Sequence, residues 1–128
     1  MRLLLDTHLL VWAVSAPARL PAKARSLMKD ETNQLFFSAA SMWEIAIKAS
    51  YKRPDFAVDV PELHGELLRN GYLELAVLAS HTFPVVHLPH LHKDPFDRML
   101  LAQAMREDLT LITADEVLAS YPGPILKV

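Results

Sequence analysis

The stretch HKDPFDRMLLAQAMREDLTLITAD, residues 92–115, decides the fold, because it contains a helix start, a helix and a buried strand in succession. Asp94 and Pro95 predict the helix start. The aspartate can cap the free amides of the first turn, and proline at the first helical position lacks only an N–H that would have no partner. The helix carries apolar residues as far as Met105. The short, β-branched and apolar segment Leu109–Thr113 then predicts a buried strand.

Two carboxylates of this stretch fall where ligands bind in α/β proteins. Asp97 lies in the first turn of the predicted helix, and Asp115 follows the predicted strand almost directly. The carboxyl ends of parallel strands form the binding edge of an α/β sheet. Asp6 ends the first apolar strand, and Glu44 lies in the helix that follows the second. We therefore expect these carboxylates to converge at one edge.

Short apolar segments alternate with helices along the whole chain. The predicted strands are Leu3–Leu5, Leu35–Phe37, Tyr72–Val77, Leu109–Thr113 and Ile125–Leu126. The predicted helices have capping signals at Thr7, Ser41, Ser80 and Asp94, or cover Pro21–Lys29, Glu62–Asn70 and Glu116–Ser120. Tyr51–Pro61 and Val85–His92 are predicted connections. This alternation predicts an α/β fold in three layers, with a mainly parallel sheet of four to five strands between two layers of helices.

Composition limits the class of protein. The 128 residues are 52% hydrophobic and 22% charged, which predicts one globular domain over residues 1–128. The apolar runs are shorter than the roughly 18 residues of a membrane span, and the N-terminus lacks the long apolar segment of a signal peptide. Because no cysteine is present, disulfides and thiolate metal sites are excluded, and we expect a cytoplasmic protein. A net charge of −2 argues against a tight non-specific DNA binder but leaves open a nuclease with a local basic rim.

Each acid also has a purely structural interpretation. Glu44 could complete a capping box with Ser41, and Asp97 could stabilise the helix dipole behind the Asp94 cap. The whole set favours a ligand site, since two carboxylates ~4 Å apart repel by about 4 kcal/mol at an effective dielectric of ~20. Such a cluster needs a cation or protonation, and an oxygen-only ligand set suits Mg²⁺ or Mn²⁺ better than zinc.

Four segments, in order, carry a family resemblance. They are LLLDTH (3–8), SAASMWEIAIK (38–48), DPFDRMLLAQA (94–104) and LITAD (111–115). Together they resemble the ordered motifs of PIN-domain ribonucleases, and they are most similar to the VapC-like toxins of bacterial and archaeal toxin–antitoxin pairs. The resemblance spans nearly the whole chain, and the order of the motifs is more specific than any one of them.

The resemblance implies which residues form the site. The metal-binding and catalytic acids would be Asp6, Glu44, Asp97 and Asp115. Thr113 matches the hydroxyl often found beside this quartet. Asp94 does not match a quartet position, so we expect it to act as a helix cap that supports the site, and we expect Thr7 to support Asp6.

Metal-assisted hydrolysis of phosphodiester bonds is the chemistry that such a quartet allows. By resemblance the protein would be an endoribonuclease toxin with Mg²⁺ or Mn²⁺ as cofactor, RNA as substrate and a cognate antitoxin as partner, and the high apolar content permits a homodimer. Three alternatives stay open. They are a housekeeping PIN nuclease in RNA processing, a catalytically silent PIN-like binding module, and a phosphate-accepting regulatory domain, which would need a second acid beside Asp6.

Two cations are candidates for contact with the substrate phosphate. Lys48 lies one turn after Glu44, and Arg98 adjoins Asp97. Lys48 could equally form an ordinary i,i+4 ion pair with Glu44.

Four other side chains are assigned structural roles. His8 and His92 flank the predicted edge without a partner at metal-ligand spacing, so polar packing or solvent exposure is expected. Trp12 and Trp43 lie among aliphatic residues at helical spacing and are predicted in the core or at an interface.

Overall fold

The computed structural model describes every residue from 1 to 128. Its centre is a five-stranded sheet in the order β3-β2-β1-β4-β5, and every neighbouring pair of strands is parallel. The strands are Arg2–Leu5 (β1), Gln34–Ser38 (β2), Leu73–Leu75 (β3), Thr110–Thr113 (β4) and Ile125–Lys127 (β5). The predicted α/β fold with a parallel sheet is confirmed.

Six α-helices connect these strands. They are Thr7–Ser15 (α1), Ala22–Lys29 (α2), Ala39–Ser50 (α3), Val60–Arg69 (α4), Pro95–Glu107 (α5) and Glu116–Ala119 (α6). Two 3₁₀ segments cover Pro17–Arg19 and Ala79–His87. None of the helices combines the length and the apolarity that crossing a bilayer requires.

Two hydrophobic cores lie on opposite faces of the sheet, and β1 contributes to both. Leu3 and Leu5 pack into one core, with residues of α1, α2, α3 and α4. Leu4 packs into the other, with residues of α5 and α6. Successive side chains of a strand point to opposite faces, so the unbroken run of leucines is what a strand buried on both sides requires. The helices therefore form two layers around the sheet.

The start of α1 differs from the sequence prediction. Asp6, not Thr7, caps this helix, since its carboxylate accepts a hydrogen bond from the amide of Leu9. The Thr7 hydroxyl instead donates to the hydroxyl of Ser41 and holds α1 against α3. Both residue types favour the cap position, and the contact between the two helices decides between them.

The start of α3 also differs. Ser38 caps the helix by accepting from the amide of Ala40, and Ser41 lies inside the helix. The capping box predicted for Ser41 and Glu44 is therefore wrong. Glu44 is therefore not a capping-box partner, although its i,i+4 ion pair with Lys48 is present.

Two connections are more ordered than predicted. Asp59 caps α4, so this helix begins two residues before the predicted start at Glu62. The segment Ala79–His87 continues through Pro84 as a 3₁₀ helix with Ser80 inside it, so the predicted cap at Ser80 is wrong. The side chain that bonds at its start is His81, whose Nδ1 accepts from the N–H of Leu78 at 2.9 Å.

Candidate active site

Four acids from separate parts of the chain meet at the carboxyl edge of the sheet. Asp6 follows β1 and Asp115 follows β4, and these strands are neighbours. Glu44 extends from α3, and Asp97 lies in the first turn of α5. The charges of Asp6 and Glu44 both act on Asp97, and the charge of Asp115 acts on Asp6. The four acids therefore lie near enough for their charges to interact, although no three of them place ligand atoms within 4.8 Å of one another.

Asp6 is the most deeply held of the four acids. Its Oδ1 accepts from the Leu9 amide at 2.9 Å, and its Oδ2 accepts from the Thr113 hydroxyl at 2.5 Å. Burial raises the pKa of the Asp6 carboxyl, and the hydrogen bonds from Thr113 and Leu9 act in the opposite direction. Its position is therefore fixed by the start of α1 and the end of β4.

Thr113 links two of the acids. Its hydroxyl donates to Asp6 and accepts the backbone N–H of Asp115 at 3.0 Å. Asp115 in turn caps α6, since its Oδ1 accepts from the amide of Leu118 at 2.9 Å. The supporting role expected for Thr113 therefore has a geometric basis.

Glu44 contains a buried oxygen without a partner. Its Oε2 lies 3.3 Å from the Nζ of Lys48, but its Oε1 accepts no hydrogen bond. The residue is only 7% exposed. Buried polar atoms are almost always paired, because leaving one unpaired is costly. An unpaired carboxylate oxygen inside an acidic cluster is thus a position for a cation ligand.

The environment of Asp97 disfavours its ionised form. Burial, together with the charges of Asp94, Asp6 and Glu44, raises the pKa of the Asp97 carboxyl to about 7, and His92 partly opposes this rise. The cluster therefore disfavours its own full ionisation, and a cation bound there would restore it.

A family model for the PIN domain matches residues 3–124. This chain belongs to the PIN domain family.

Two known proteins resemble this PIN domain over nearly its whole length. Ribonuclease VapC22 of Mycobacterium tuberculosis is 30% identical over 122 residues, which cover 94% of this chain and 92% of the relative. A chain in the crystal structure of VapBC2 from Rickettsia felis, bound to a DNA fragment from their promoter, has a TM-score of 0.72 and 18% identity, covering 100% of this chain and 99% of that one. The latter likeness concerns the fold. The family expected from the ordered motifs is confirmed.

The other predicted site residues have different positions in the PIN domain. Asp94 caps α5, since its Oδ1 accepts from the amides of Phe96 at 2.8 Å and of Asp97 at 3.4 Å, as predicted. Thr7 bonds to Ser41, as described above, and makes no hydrogen bond to the acids. Thr7 therefore supports the site by packing α1 against α3.

Arg98 forms several hydrogen bonds within the protein. Its guanidinium donates to the carbonyl of Pro89 at 2.8 Å and to the hydroxyl of Tyr121 at 2.9 Å. Longer bonds at 3.4 Å reach the carbonyls of Val85 and Leu88. These bonds attach Arg98 to the connection before α5, and contact between Arg98 and phosphate stays a prediction.

His92 flanks the site, as predicted, but its contact with the acids was not expected from the sequence. Its Nε2 is 2.9 Å from Asp97 Oδ2 and 4.0 Å from Asp115 Oδ2. The only signal in the sequence was its position, two residues before the cap of α5 and five before Asp97. The path of the loop, which pattern analysis does not predict, brings the ring to the acids. His8, by contrast, lies against Trp12, with 5.9 Å between the ring centroids.

The two tryptophans have different environments. Trp12 is half-buried, and the guanidinium of Arg19 lies 5.0 Å from the centre of its ring. Trp43 is 65% exposed and contacts Phe96 edge to face at 5.1 Å. A place in the core is therefore wrong for Trp43, while a place at an interface stays a prediction.

The donor set fits a hard divalent cation. All four acids offer carboxylate oxygens, which Mg²⁺ and Mn²⁺ prefer. The unpaired Oε1 of Glu44 and the raised pKa of Asp97 are both features that a bound cation would relieve. The residues present therefore suit the ion that the PIN family implies.

Proposed function

We propose that this PIN domain is a Mg²⁺- or Mn²⁺-dependent endoribonuclease that hydrolyses RNA phosphodiester bonds as the toxin of a toxin–antitoxin system. The observation that carries this proposal is the buried, unpartnered Oε1 of Glu44 within a cluster of three further acids. The relative from Mycobacterium tuberculosis, Ribonuclease VapC22, supports RNA as the substrate.

The four acids would bind the ion, and residues in contact with them would fix their positions. The ion would bind to Asp6, Glu44, Asp97 and Asp115, and when bound it lowers the pKa of a water ligand and offsets charge on the phosphoryl oxygens. Thr113 fixes Asp6 relative to the backbone of Asp115. Lys48 is 42% exposed and ion-paired with Glu44, so its remaining donors are free to contact an RNA phosphate.

A groove between α1 and the start of α4 suits a segment of the antitoxin. Its cavity of about 430 Å³ is lined by apolar side chains that include Val11, Val58 and Leu63. Glu62 and Glu66 also line it. This combination favours an antitoxin segment with apolar side chains beside basic ones.

A second apolar surface suits the homodimer. It is formed by Trp43, Val77, Val86, Phe96 and Met99, which line two adjoining cavities. Val86 is among the most exposed apolar side chains of the chain. Exposed apolar patches of this kind mark protein interfaces.

Sedimentation velocity tests the homodimer. It should give a dimer for the wild type and a monomer for Val86→Glu, and a monomeric wild type would contradict the homodimer.

RNA cleavage tests the nuclease directly. Purified wild type and Asp6→Asn are incubated with a mixture of end-labelled cellular RNAs, with Mn²⁺, with Mg²⁺ or with chelator. We expect discrete products only for the wild type and only with metal. Equal cleavage by Asp6→Asn, or in chelator, would contradict the metal mechanism.

Growth in cells separates the toxin from the alternatives. Expression of the chain alone should arrest growth, and co-expression of a small reading frame adjacent to its gene should restore it. Metal-dependent cleavage without arrest would favour a housekeeping nuclease. Absence of cleavage and of metal binding would favour a silent binding module.

A further inference from the structure

We propose that His92 is a positioning residue that orients the Asp97 carboxylate for the metal ion, an inference that rests on the proposed metal-dependent function. The Nε2 of His92 lies 2.9 Å from Asp97 Oδ2. Both side chains are largely shielded from solvent, with 23% of His92 and 14% of Asp97 exposed. The pair is therefore placed inside the site and not on the outer surface.

This contact is the only hydrogen bond of the Asp97 carboxylate. Its Oδ2 accepts from His92, and its Oδ1 has no partner. Without the imidazole, rotation about the last side-chain bond of Asp97 would be limited only by packing. With it, Oδ2 is fixed and Oδ1 is left for the ion.

Each of the other acids has its own holding group. Asp6 accepts from the hydroxyl of Thr113, Asp115 accepts from a backbone amide of α6, and Glu44 pairs with Lys48. His92 supplies for Asp97 what these groups supply for the other three. Ligating carboxylates depend on such partners, because the partner sets the direction of the free oxygen before the ion arrives.

The backbone of His92 is itself anchored. Its N–H donates to the hydroxyl of Tyr121 at 2.8 Å, and the same hydroxyl accepts from Arg98 at 2.9 Å. Tyr121 is buried at 4% exposure. The imidazole is thus attached to a rigid support, which is what a positioning residue needs.

The geometry favours positioning over direct ligation. One ligand atom each from His92, Asp94 and Asp97 lie within 4.8 Å of one another. However, the Oδ1 of Asp94 is occupied by two amides at the start of α5, and Nε2 of His92 already lies at hydrogen-bond distance from Asp97. The nitrogen therefore holds a ligand and does not become one.

Mn²⁺ binding by the full chain tests the inference. Affinity is measured by titration of Mn²⁺, followed by electron paramagnetic resonance, for the wild type, His92→Ala, His92→Gln and His90→Ala. We expect His92→Ala to bind about 10–100-fold more weakly. His92→Gln should recover most of the affinity, because its amide can donate to Asp97. His90→Ala is the matched control, since His90 is an exposed histidine of the same loop, and its affinity should not change.

The outcomes separate this inference from the proposed function. Wild-type affinity in His92→Ala would overturn the positioning role while leaving the metal site intact. Equal weakening in His92→Gln and His92→Ala would also overturn it, provided that thermal unfolding in chelator shows both variants folded. Spin-echo modulation from a nitrogen bound directly to Mn²⁺ would make His92 a ligand and overturn positioning. Absence of Mn²⁺ binding by the wild type would instead contradict the proposed function itself.

Discussion

At the scale of single residues, Asp97 shows how a functional carboxylate works against the stability of its own fold. Its pKa is raised from 3.8 to about 7, first by burial and then by the charges of neighbouring acids. A group whose charged form is disfavoured in this way is a frequent mark of a functional site. The fold tolerates the group because two cores and a five-stranded sheet supply stability elsewhere.

The first prediction concerns pH in the absence of metal. Because the pKa of Asp97 is higher in the folded chain than in the unfolded chain, the folded state binds the proton more tightly. The contribution of Asp97 to the free energy of unfolding should therefore be greatest below about pH 4 and be lost as the pH rises through about 7. Urea unfolding in chelator across this range should show the fall, and Asp97→Asn should reduce it. A wild-type slope that Asp97→Asn leaves unchanged would contradict the assignment.

The second prediction concerns the hydroxyl that links Asp6 to Asp115. Thr113→Val keeps the shape of the side chain but leaves the Asp6 carboxylate and the Asp115 amide without this partner. We expect a loss of about 1–3 kcal/mol in the free energy of unfolding. Thr113→Ser, which keeps the hydroxyl, should lose less, and the two variants are compared by urea unfolding. Equal losses would mean that the hydroxyl contributes nothing beyond packing.

The placement of the four acids at one edge could be predicted from the sequence, and so could the support from Asp94 and Thr113, whereas the support from His92 could not. Asp6 and Asp115 follow apolar strands, and Asp97 follows a helix start, so pattern alone placed them at one edge. His92 and Arg98 are different, because their partners depend on the path of the loop before α5. No periodicity describes such a loop. The sequence therefore favoured polar packing or solvent exposure for His92 and contact with the substrate phosphate for Arg98.

At the scale of elements, capping signals located the helices but not always their first residues. The start of α5 was predicted because Asp94 and Pro95 give two independent signals. At α1, Asp6 and Thr7 are adjacent and both can cap, so local chemistry does not choose between them. The hydrogen bond from Thr7 to Ser41 of α3 decides between them, because it engages the Thr7 hydroxyl.

The third prediction separates the two effects of Asp94. Asp94→Ala removes the cap of α5 and should lower the free energy of unfolding by about 1 kcal/mol relative to Asp94→Ser, which can still cap. Both variants remove a negative charge that acts on Asp97, so both should lower the pKa of Asp97. Urea unfolding measures the first effect, and NMR titration of the Asp97 carboxyl measures the second. A stability difference of zero would contradict the capping role.

At the scale of the whole molecule, the alternation of buried strands and helices predicted the three layers. The three leucines of β1 fit this arrangement, because a strand covered on both faces buries successive side chains. The exposed Trp43 could not be predicted, since its apolar ring at helical spacing resembles a core residue. Apolar residues at helical spacing look the same in a sequence whether they face the core or an exposed surface.

The fourth prediction is that metal stabilises the entire fold. An ion at about 100 times its dissociation constant adds about 2.7 kcal/mol to the free energy of unfolding. For a domain of this size that raises the melting temperature by on the order of 10 °C. Differential scanning calorimetry of the wild type in Mn²⁺ and in chelator should show the rise, and Asp97→Asn should lose it. An equal rise in both would place the ion outside the quartet.

The wide separation of the four acids along the chain has a consequence for synthesis on the ribosome. Asp6 is translated early, but Asp97 and Asp115 come late, and β4 must dock beside β1 before they meet Asp6. A chain interrupted before α5 contains Asp6 and Glu44 but lacks Asp97 and Asp115. Prematurely terminated translation products would therefore lack half of the proposed metal ligands.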